Sequence, residues 1–141
     1  METSLQLAHV GGRAGVSLNG PWHFLVDTYD RGEMQRFWEN RAPRYPGELI
    51  EYGFADAETL EVPGDWNTQR PELFFYEGVV WYQRDFDFVS AAGARQVLHF
   101  GAANYRARVW VNGDAVGEHT GGFTPFAVLQ EFYRSQQAAN V

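Results

Sequence analysis

Hydrophobic side chains recur with a period of two along most of this chain. Trp22, Phe24 and Val26 follow Pro21 at every second position, and this spacing is typical of a half-buried β-strand. The clearest alternation runs through residues 79–88, in which the even-numbered positions are mostly hydrophobic and would lie on one face. We expect further short strands at residues 59–62, 96–100, 105–111, 115–118 and 124–129.

One segment has helical spacing instead. Asp30 is followed three residues later by a glutamate, which is the arrangement of a capping box with aspartate as the capping residue. Met34, Phe37 and Trp38 then occupy positions i, i+3 and i+4, so they would share one face of a helix. We therefore predict one short helix that begins at about Asp30 and ends near Arg41.

Turn signals separate the predicted strands. Asn112-Gly113 is the strongest of them, because this pair readily adopts the positive φ angles of a two-residue hairpin turn. Pro63-Gly64 ends the strand at residues 59–62. We predict a turn at residues 91–94 and loops at residues 44–57 and 65–78.

These elements, about seven short strands and one helix, predict an all-β fold, namely an antiparallel β-sandwich. Strands do not alternate with helices in the pattern, which argues against a parallel sheet. We assign residues 1–15, with their three glycines, to a flexible lead, residues 16–130 to the sandwich domain, and residues 131–141 to a polar tail.

Composition narrows the range of functions. The chain has 141 residues, with 11 basic against 18 acidic side chains and a net charge of −7. This length suits one domain, and the acidic balance argues against nucleic acid or an anionic membrane as a partner. Every basic residue is arginine and there is no cysteine, which excludes Schiff-base lysine chemistry, disulfides and thiolate metal sites. No segment resembles a signal peptide or a membrane span, so we expect a cytoplasmic location, or a periplasmic or secreted one if the true start of the protein lies upstream.

Common catalytic motifs are absent from the sequence. The four histidines lack metal-binding spacing, and no serine lies in a nucleophile-elbow motif, so we expect neither a metal nor a cofactor. Asp85 and Asp87 lie two residues apart on one strand face, about 7 Å from each other. Paired carboxylates of glycosidases have a comparable separation, but an exposed strand face is the more common setting for aspartate, and we assign the pair to it.

The loop that follows Pro63-Gly64 carries the most suggestive chemistry. Asp65, Trp66 and Asn67 combine a carboxylate, an indole plane and an amide within three residues, and Tyr76 and Glu77 lie near the end of the same loop. Such groups suit the binding of a polyol such as a sugar. Equally, aspartate and asparagine stabilise turns through local hydrogen bonds while a tryptophan packs inward. The residues alone leave both interpretations open.

Six segments together resemble the N-terminal, so-called sugar-binding domain of glycoside hydrolase family 2, the family of β-galactosidases and β-glucuronidases. The resemblance runs from about residue 17 to residue 127 and is closer to the β-glucuronidase-like branch. The matching segments, in chain order, are 18–24 (LNGPWHF), 62–67 (VPGDWN), 76–84 (YEGVVWYQR), 100–105 (FGAANY), 109–113 (VWVNG) and 119–126 (HTGGFTPF).

This resemblance implies a jelly-roll or galactose-binding-domain-like sandwich that precedes an immunoglobulin-like domain and a TIM-barrel catalytic domain. In such enzymes two glutamates of the barrel carry out retaining hydrolysis of a terminal β-glycoside, a β-glucuronide or a β-galactoside. No catalytic residue is therefore assigned to this chain. The first domain packs on the barrel and can lend a loop to the rim of the active site or to an oligomer interface. By the resemblance, Asp65, Trp66, Asn67, Tyr76 and Glu77 are the candidates for such a substrate-binding contact.

The sequence departs from the family pattern after residue 126, where a further strand is usual. We expect the sandwich to lack this closing strand, the chain to be a fragment or truncated product of a longer hydrolase, and the exposed sheet edge to favour self-association. The first function expected is thus that of a non-catalytic domain of a family 2 glycosidase. The alternatives are a stand-alone carbohydrate-binding module and a structural or assembly domain without a ligand.

Overall fold

The computed structural model describes residues 15–50, 53–87 and 96–130. Within these ranges the chain is built from β-strands, one short α-helix and two 3₁₀ turns. The 3₁₀ turns are Phe37–Glu39 and Pro71–Leu73, and the helix α1 is Trp66–Gln69. The strands are β1 (Gly20–Asp27), β2 (Thr59–Val62), β3 (Val79–Gln83), β4 (Gln96–Phe100), β5 (Arg106–Val111), β6 (Asp114–Thr120) and β7 (Phe126–Gln130).

Every strand pairing in the described residues is antiparallel, which confirms the all-β prediction. The strands form one three-stranded sheet, β2-β1-β3, and two two-stranded sheets, β4-β7 and β5-β6. The chain divides into two compact units, and each is described by itself. The N-terminal unit holds the described residues from 17 to 85, and the C-terminal unit holds the described residues from 86 onward together with residues 15 and 16.

The N-terminal unit is organised around one face of the three-stranded sheet. Phe24 of β1 and Leu60 of β2 are buried there together with Leu73. Val80 and Tyr82 of β3 pack against this cluster, as the alternation of residues 79–88 predicts. β3 itself ends at Gln83, earlier than expected, and residue 88 lies outside the described ranges.

A buried carboxylate at the end of β1 fixes the chain that follows it. Asp27 accepts hydrogen bonds from the backbone N–H groups of Arg31 (2.8 Å) and Gly32 (2.7 Å) and from the indole of Trp81 (3.0 Å). A Cβ atom on Gly32 would collide with the indole nitrogen of Trp81, so this close approach requires glycine. Burial alone would raise the pKa of Asp27. The three hydrogen bonds together lower it by more than burial raises it, so the pKa lies below its ordinary value.

The helix predicted from Asp30 to Arg41 is wrong. Asp30 has a φ of 51°, whereas a helix N-cap has extended dihedrals, so Asp30 caps nothing. Residues 32–36 form turns and only Phe37–Glu39 is helical, as a 3₁₀ turn bounded by left-handed Arg36 and Asn40. The physical reason is the left-handed backbone of Arg36, which breaks the helical hydrogen-bond ladder, and the rings of Phe37 and Trp38 lie instead against Trp81, at 5.5 and 6.2 Å between centroids.

The C-terminal unit contains two sheets in contact with each other. Asn112 and Gly113 have φ angles of 50° and 85°, so the predicted hairpin turn joins β5 to β6 as expected. Gly117 of β6 approaches the side chain of Val128 of β7 so closely that a Cβ atom would collide with it. This contact packs the β5-β6 sheet on the β4-β7 sheet, as in a sandwich.

Phe126 lies at the centre of the C-terminal unit. Its side chain is fully buried, with a relative exposure of 0%. Its ring stacks on Phe100 at 4.6 Å between centroids and on His119 at 4.5 Å. The imidazole of His119 also contacts the hydroxyl of Thr124 at 3.0 Å. The HTGGFTPF segment therefore supplies two members of this aromatic stack. The predicted lead, polar tail and turn at residues 91–94 lie almost wholly outside the described residues.

Candidate functional site

The loop at residues 65–77, where the sequence places its candidate site, begins with a capped helix. The carboxylate of Asp65 accepts hydrogen bonds from the backbone N–H of Thr68 (2.8 Å) and from its hydroxyl (3.0 Å). Asp65 is thus the N-cap of α1, with the extended dihedrals that this position requires. The bond from the backbone N–H of Thr68, followed by that from its hydroxyl, holds the pKa of Asp65 below its ordinary value.

The polar groups of the next two residues hold the far end of the loop. The amide nitrogen of Asn67 lies within hydrogen-bond distance of the carbonyl oxygens of Leu73 (2.7 Å), Phe74 (3.3 Å) and Tyr76 (3.0 Å). The indole of Trp66 also donates to the carbonyl of Tyr76, at 3.2 Å, and the two rings lie 6.3 Å apart. The donors of Trp66 and Asn67 therefore stabilise the loop itself.

The last two candidates differ in their surroundings. The hydroxyl of Tyr76 donates to the carbonyl of Val79 at 2.9 Å, and burial, followed by the charge of Asp27, raises its pKa. Glu77 is exposed, and no hydrogen bond or ion pair reaches it from the described residues. Three of the five candidates, Trp66, Asn67 and Tyr76, thus form one bonded cluster, and Asp65 caps the helix that carries the first two. Glu77 follows this cluster in sequence, and its side chain is exposed.

Other groups considered from the sequence form no catalytic arrangement. Asp85 and Asp87 are both exposed, and Asp85 accepts a hydrogen bond from the amide of Gln83 at 2.6 Å. Across residues 15–50, 53–87 and 96–130, no cluster of acidic, histidine or cysteine side chains could hold a metal ion. Nor does any helix in those ranges have the length and apolar character needed to cross a membrane.

A second group of side chains was missed by the sequence interpretation. Arg106 and Arg108 of β5 both bond to one carboxylate, that of Glu118 on β6, through their Nε atoms at 2.6 and 3.1 Å. Trp110 lies two residues further along β5, beside an open depression of about 180 Å³ that Arg108 and Glu118 also line. The signal was available as an Arg-x-Arg-x-Trp alternation in a predicted strand, but the position of Glu118 depends on the register of the hairpin.

The antiparallel sheets and the hairpin define an all-β domain of the sandwich class. The family model described as glycosyl hydrolases family 2, sugar binding domain, matches residues 16–139. The chain belongs to this family.

Several β-glucuronidases are similar to this chain in sequence or in structure. The β-glucuronidase of Canis lupus familiaris is 37% identical over 118 residues, which cover 77% of this chain. The Lactobacillus rhamnosus β-glucuronidase structure is 32% identical, with a TM-score of 0.68, and the match covers 87% of this chain and 19% of that one. A Bifidobacterium dentium β-glucuronidase, solved with coumarin-3-O-glucuronide, is 33% identical with a TM-score of 0.65, covering 87% of this chain and 18% of that one. This chain spans 17% of the length of the first curated relatives.

Proposed function

We propose that this chain acts as a non-catalytic domain of a β-glucuronidase-type family 2 glycosidase. The observation that carries the proposal is the match of most of this chain to a small part, 17%, of much longer β-glucuronidases. The activity of the whole enzyme would be retaining hydrolysis of a terminal β-glucuronide. The partner of this domain would be a TIM-barrel catalytic domain that supplies both carboxyl groups of that mechanism.

The electrostatics of the described carboxyl groups support a role outside catalysis. A glycosidase requires a general acid whose pKa is raised, so that it still carries a proton near neutral pH. The carboxyl groups of Asp27, Asp65 and Glu118 are shifted in the opposite direction, below their ordinary pKa. Each of the three accepts hydrogen bonds that favour its charged form, which suits a structural role.

The purified chain is expected to show no turnover of a chromogenic β-glucuronide above the rate in buffer. The physical reason is that both carboxyl groups of the retaining mechanism would be supplied by the partner domain. The measurement is release of 4-nitrophenol, with the Asp85→Asn variant as a matched control for the one carboxylate pair that the sequence singled out. Turnover in the ordinary enzymatic range of about 1–1,000 per second, lost in Asp85→Asn, would refute the proposal.

Of the two alternatives, the loop geometry favours the structural domain over the stand-alone carbohydrate module. The donors of Trp66 and Asn67, which a sugar would need, already bond to carbonyls of the same loop. Contact of this loop with the rim of an active site remains part of the proposal, with Glu77 as its exposed carboxylate. In this role the bonded cluster of Trp66, Asn67 and Tyr76, together with the Asp65 cap, would present the loop in a fixed shape.

Self-association through a sheet edge is a further part of the proposal. Among the described residues, each strand of the β4-β7 and β5-β6 sheets pairs with a single neighbour, so each offers a second edge. The average mass measured by light scattering is therefore expected to rise with protein concentration above that of one chain. A mass equal to one chain across a hundredfold range of concentration would contradict this expectation.

A further inference from the structure

Two loops at the open end of the β5-β6 hairpin form one continuous surface. The loops are residues 101–105, between β4 and β5, and residues 121–125, between β6 and β7. The backbone N–H of Gly121 donates to the carbonyl oxygen of Tyr105 at 2.7 Å. A Cβ atom on Gly122 would lie 2.9 Å from the side-chain oxygen of Asn104, so the loops are in close contact there as well. We call this region of the C-terminal unit the double-loop surface.

The double-loop surface carries two exposed aromatic rings. Phe123 is 95% exposed and Tyr105 is 66% exposed. The backbone on both sides is held, because the Tyr105 carbonyl is hydrogen-bonded to the other loop and the hydroxyl of Thr124 lies 3.0 Å from the buried imidazole of His119. Rings that project from a fixed backbone lose little freedom when a partner covers them. Exposed apolar groups on one surface are typical of interaction sites, whereas scattered single ones are ordinary.

The double-loop surface is also free of charge. None of the ten residues in the two loops is charged, although charged residues make up 21% of the chain. The next residue after the first loop, Arg106, is paired with Glu118 at 2.6 Å. Because the whole chain has a net charge of −7, two copies repel each other wherever their carboxylates meet. A two-fold contact places the same patch on both copies, so an uncharged patch can face itself without this repulsion.

We propose that the double-loop surface joins two copies of this chain in a two-fold symmetric dimer, with Tyr105 and Phe123 at its centre. Aromatic residues and a depletion of charge are characteristic of the centre of protein interfaces. The inference goes beyond the proposed function, which assigns self-association to sheet edges. Edge pairing uses backbone groups of the strands and does not depend on these two rings, so a variant of one ring distinguishes the two.

The size of the surface indicates a weak and reversible dimer. Two exposed aromatic rings offer roughly 300 Å², whereas a stable interface of standard size buries about 800 Å² on each copy. We therefore expect a dissociation constant on the order of 100 µM, measured by sedimentation equilibrium of the whole chain between about 10 µM and about 1 mM. A mass equal to one chain at every concentration in this range overturns the proposal.

A change of Phe123 tests the contact directly. Phe123→Glu should raise the dissociation constant about tenfold or more, because it removes a ring and places two carboxylates opposite each other. Phe75→Glu is the matched control, since it makes the same change at a phenylalanine of the N-terminal unit that is 90% exposed, and it should leave the constant within about twofold. An unchanged constant in Phe123→Glu, or an equal loss in both variants, overturns the proposal.

The response to salt provides a second measurement. The dissociation constant of the wild type should fall about two- to threefold between about 20 and about 300 mM sodium chloride, because salt screens the repulsion between two acidic copies. The proposed contact contains no ion pair for salt to weaken. A dimer that dissociates as salt is added is held by charged groups, and that result overturns the assignment to the double-loop surface.

The place of contact can be mapped because the chain contains no cysteine. A nitroxide label on Ala102→Cys, an exposed position of the first loop, is mixed with ¹⁵N-enriched wild-type chain. We expect the label to broaden the amide signals of Gly121 and Gly122 in the enriched chain. The same label on Ala55→Cys, an exposed position of the N-terminal unit, is the control and should leave both signals unchanged. Absence of broadening at the two glycines, or broadening confined to strand residues, overturns the proposal.

Discussion

Replacement of Phe126 by alanine is expected to lower the free energy of unfolding by about 3–5 kcal/mol. The ring is fully buried and stacks on both Phe100 and His119, so its removal leaves a cavity that neighbouring strands cannot fill. The loss combines the transfer of a buried aromatic ring with the cost of that cavity and the loss of the ring contacts. Urea unfolding followed by circular dichroism measures the change.

The same segment offers a matched control. Phe123 lies three residues earlier and is 95% exposed, so Phe123→Ala should change stability by no more than about 0.5 kcal/mol. Because Phe126→Ala can remove most of the stability of a domain of this size, Phe126→Leu provides a milder variant, with an expected loss of about 1–2 kcal/mol. Equal stability of the Phe123 and Phe126 alanine variants would contradict the burial of Phe126.

The prediction of the strands succeeded where the information is local. The alternation at Trp22, Phe24 and Val26 depends only on which face of β1 is buried, and the hairpin at Asn112-Gly113 depends only on backbone preferences. The fold class follows from such local patterns. Hydrophobic residues at every second position, with turn signals at short intervals, favour strands that pair in antiparallel sheets.

The prediction of the helix failed because its decisive contact is not local. Met34, Phe37 and Trp38 have helical spacing, but the rings of Phe37 and Trp38 pack against Trp81. Trp81 belongs to β3, far away in sequence, and no pattern in residues 30–41 reveals it. A tertiary contact thus overrides a local preference of modest strength.

The candidate site could be predicted only in part for a related reason. Sequence identified Asp65, Trp66 and Asn67 by their chemistry, and the structure brings Trp66 and Asn67 together with Tyr76. Whether a polar group faces solvent or its own loop depends on the path of the backbone. The residue types in the loop do not reveal this path. The contact of Arg106 and Arg108 with Glu118 was missed because it depends on the register of the hairpin, and the bulge shifts that register by one residue.

Replacement of Asp27 by asparagine is expected to lower the free energy of unfolding by about 2–3 kcal/mol near neutral pH. One oxygen of Asp27 accepts from Arg31, and the other accepts from both Gly32 and Trp81. Asparagine has one acceptor oxygen, so its NH₂ group must face at least one of these donors. In the variant, the three donors no longer have a charged acceptor, and at least one buried donor has no acceptor at all.

The pH dependence of this loss distinguishes the charge from the shape of the side chain. The folded pKa of Asp27 lies below its ordinary value of 3.8, so the charged form stabilises the fold fully above that value. This contribution declines as the pH falls below about 4 and disappears as the pH passes through the folded pKa. Because asparagine does not titrate, the stability difference between the wild type and Asp27→Asn should narrow in acid.

The measurement is urea unfolding of both proteins between pH 7 and pH 3, with Asp56→Asn, an exposed position, as the control. A difference that stays constant over this range would mean that the carboxylate of Asp27 does not stabilise the fold through its charge.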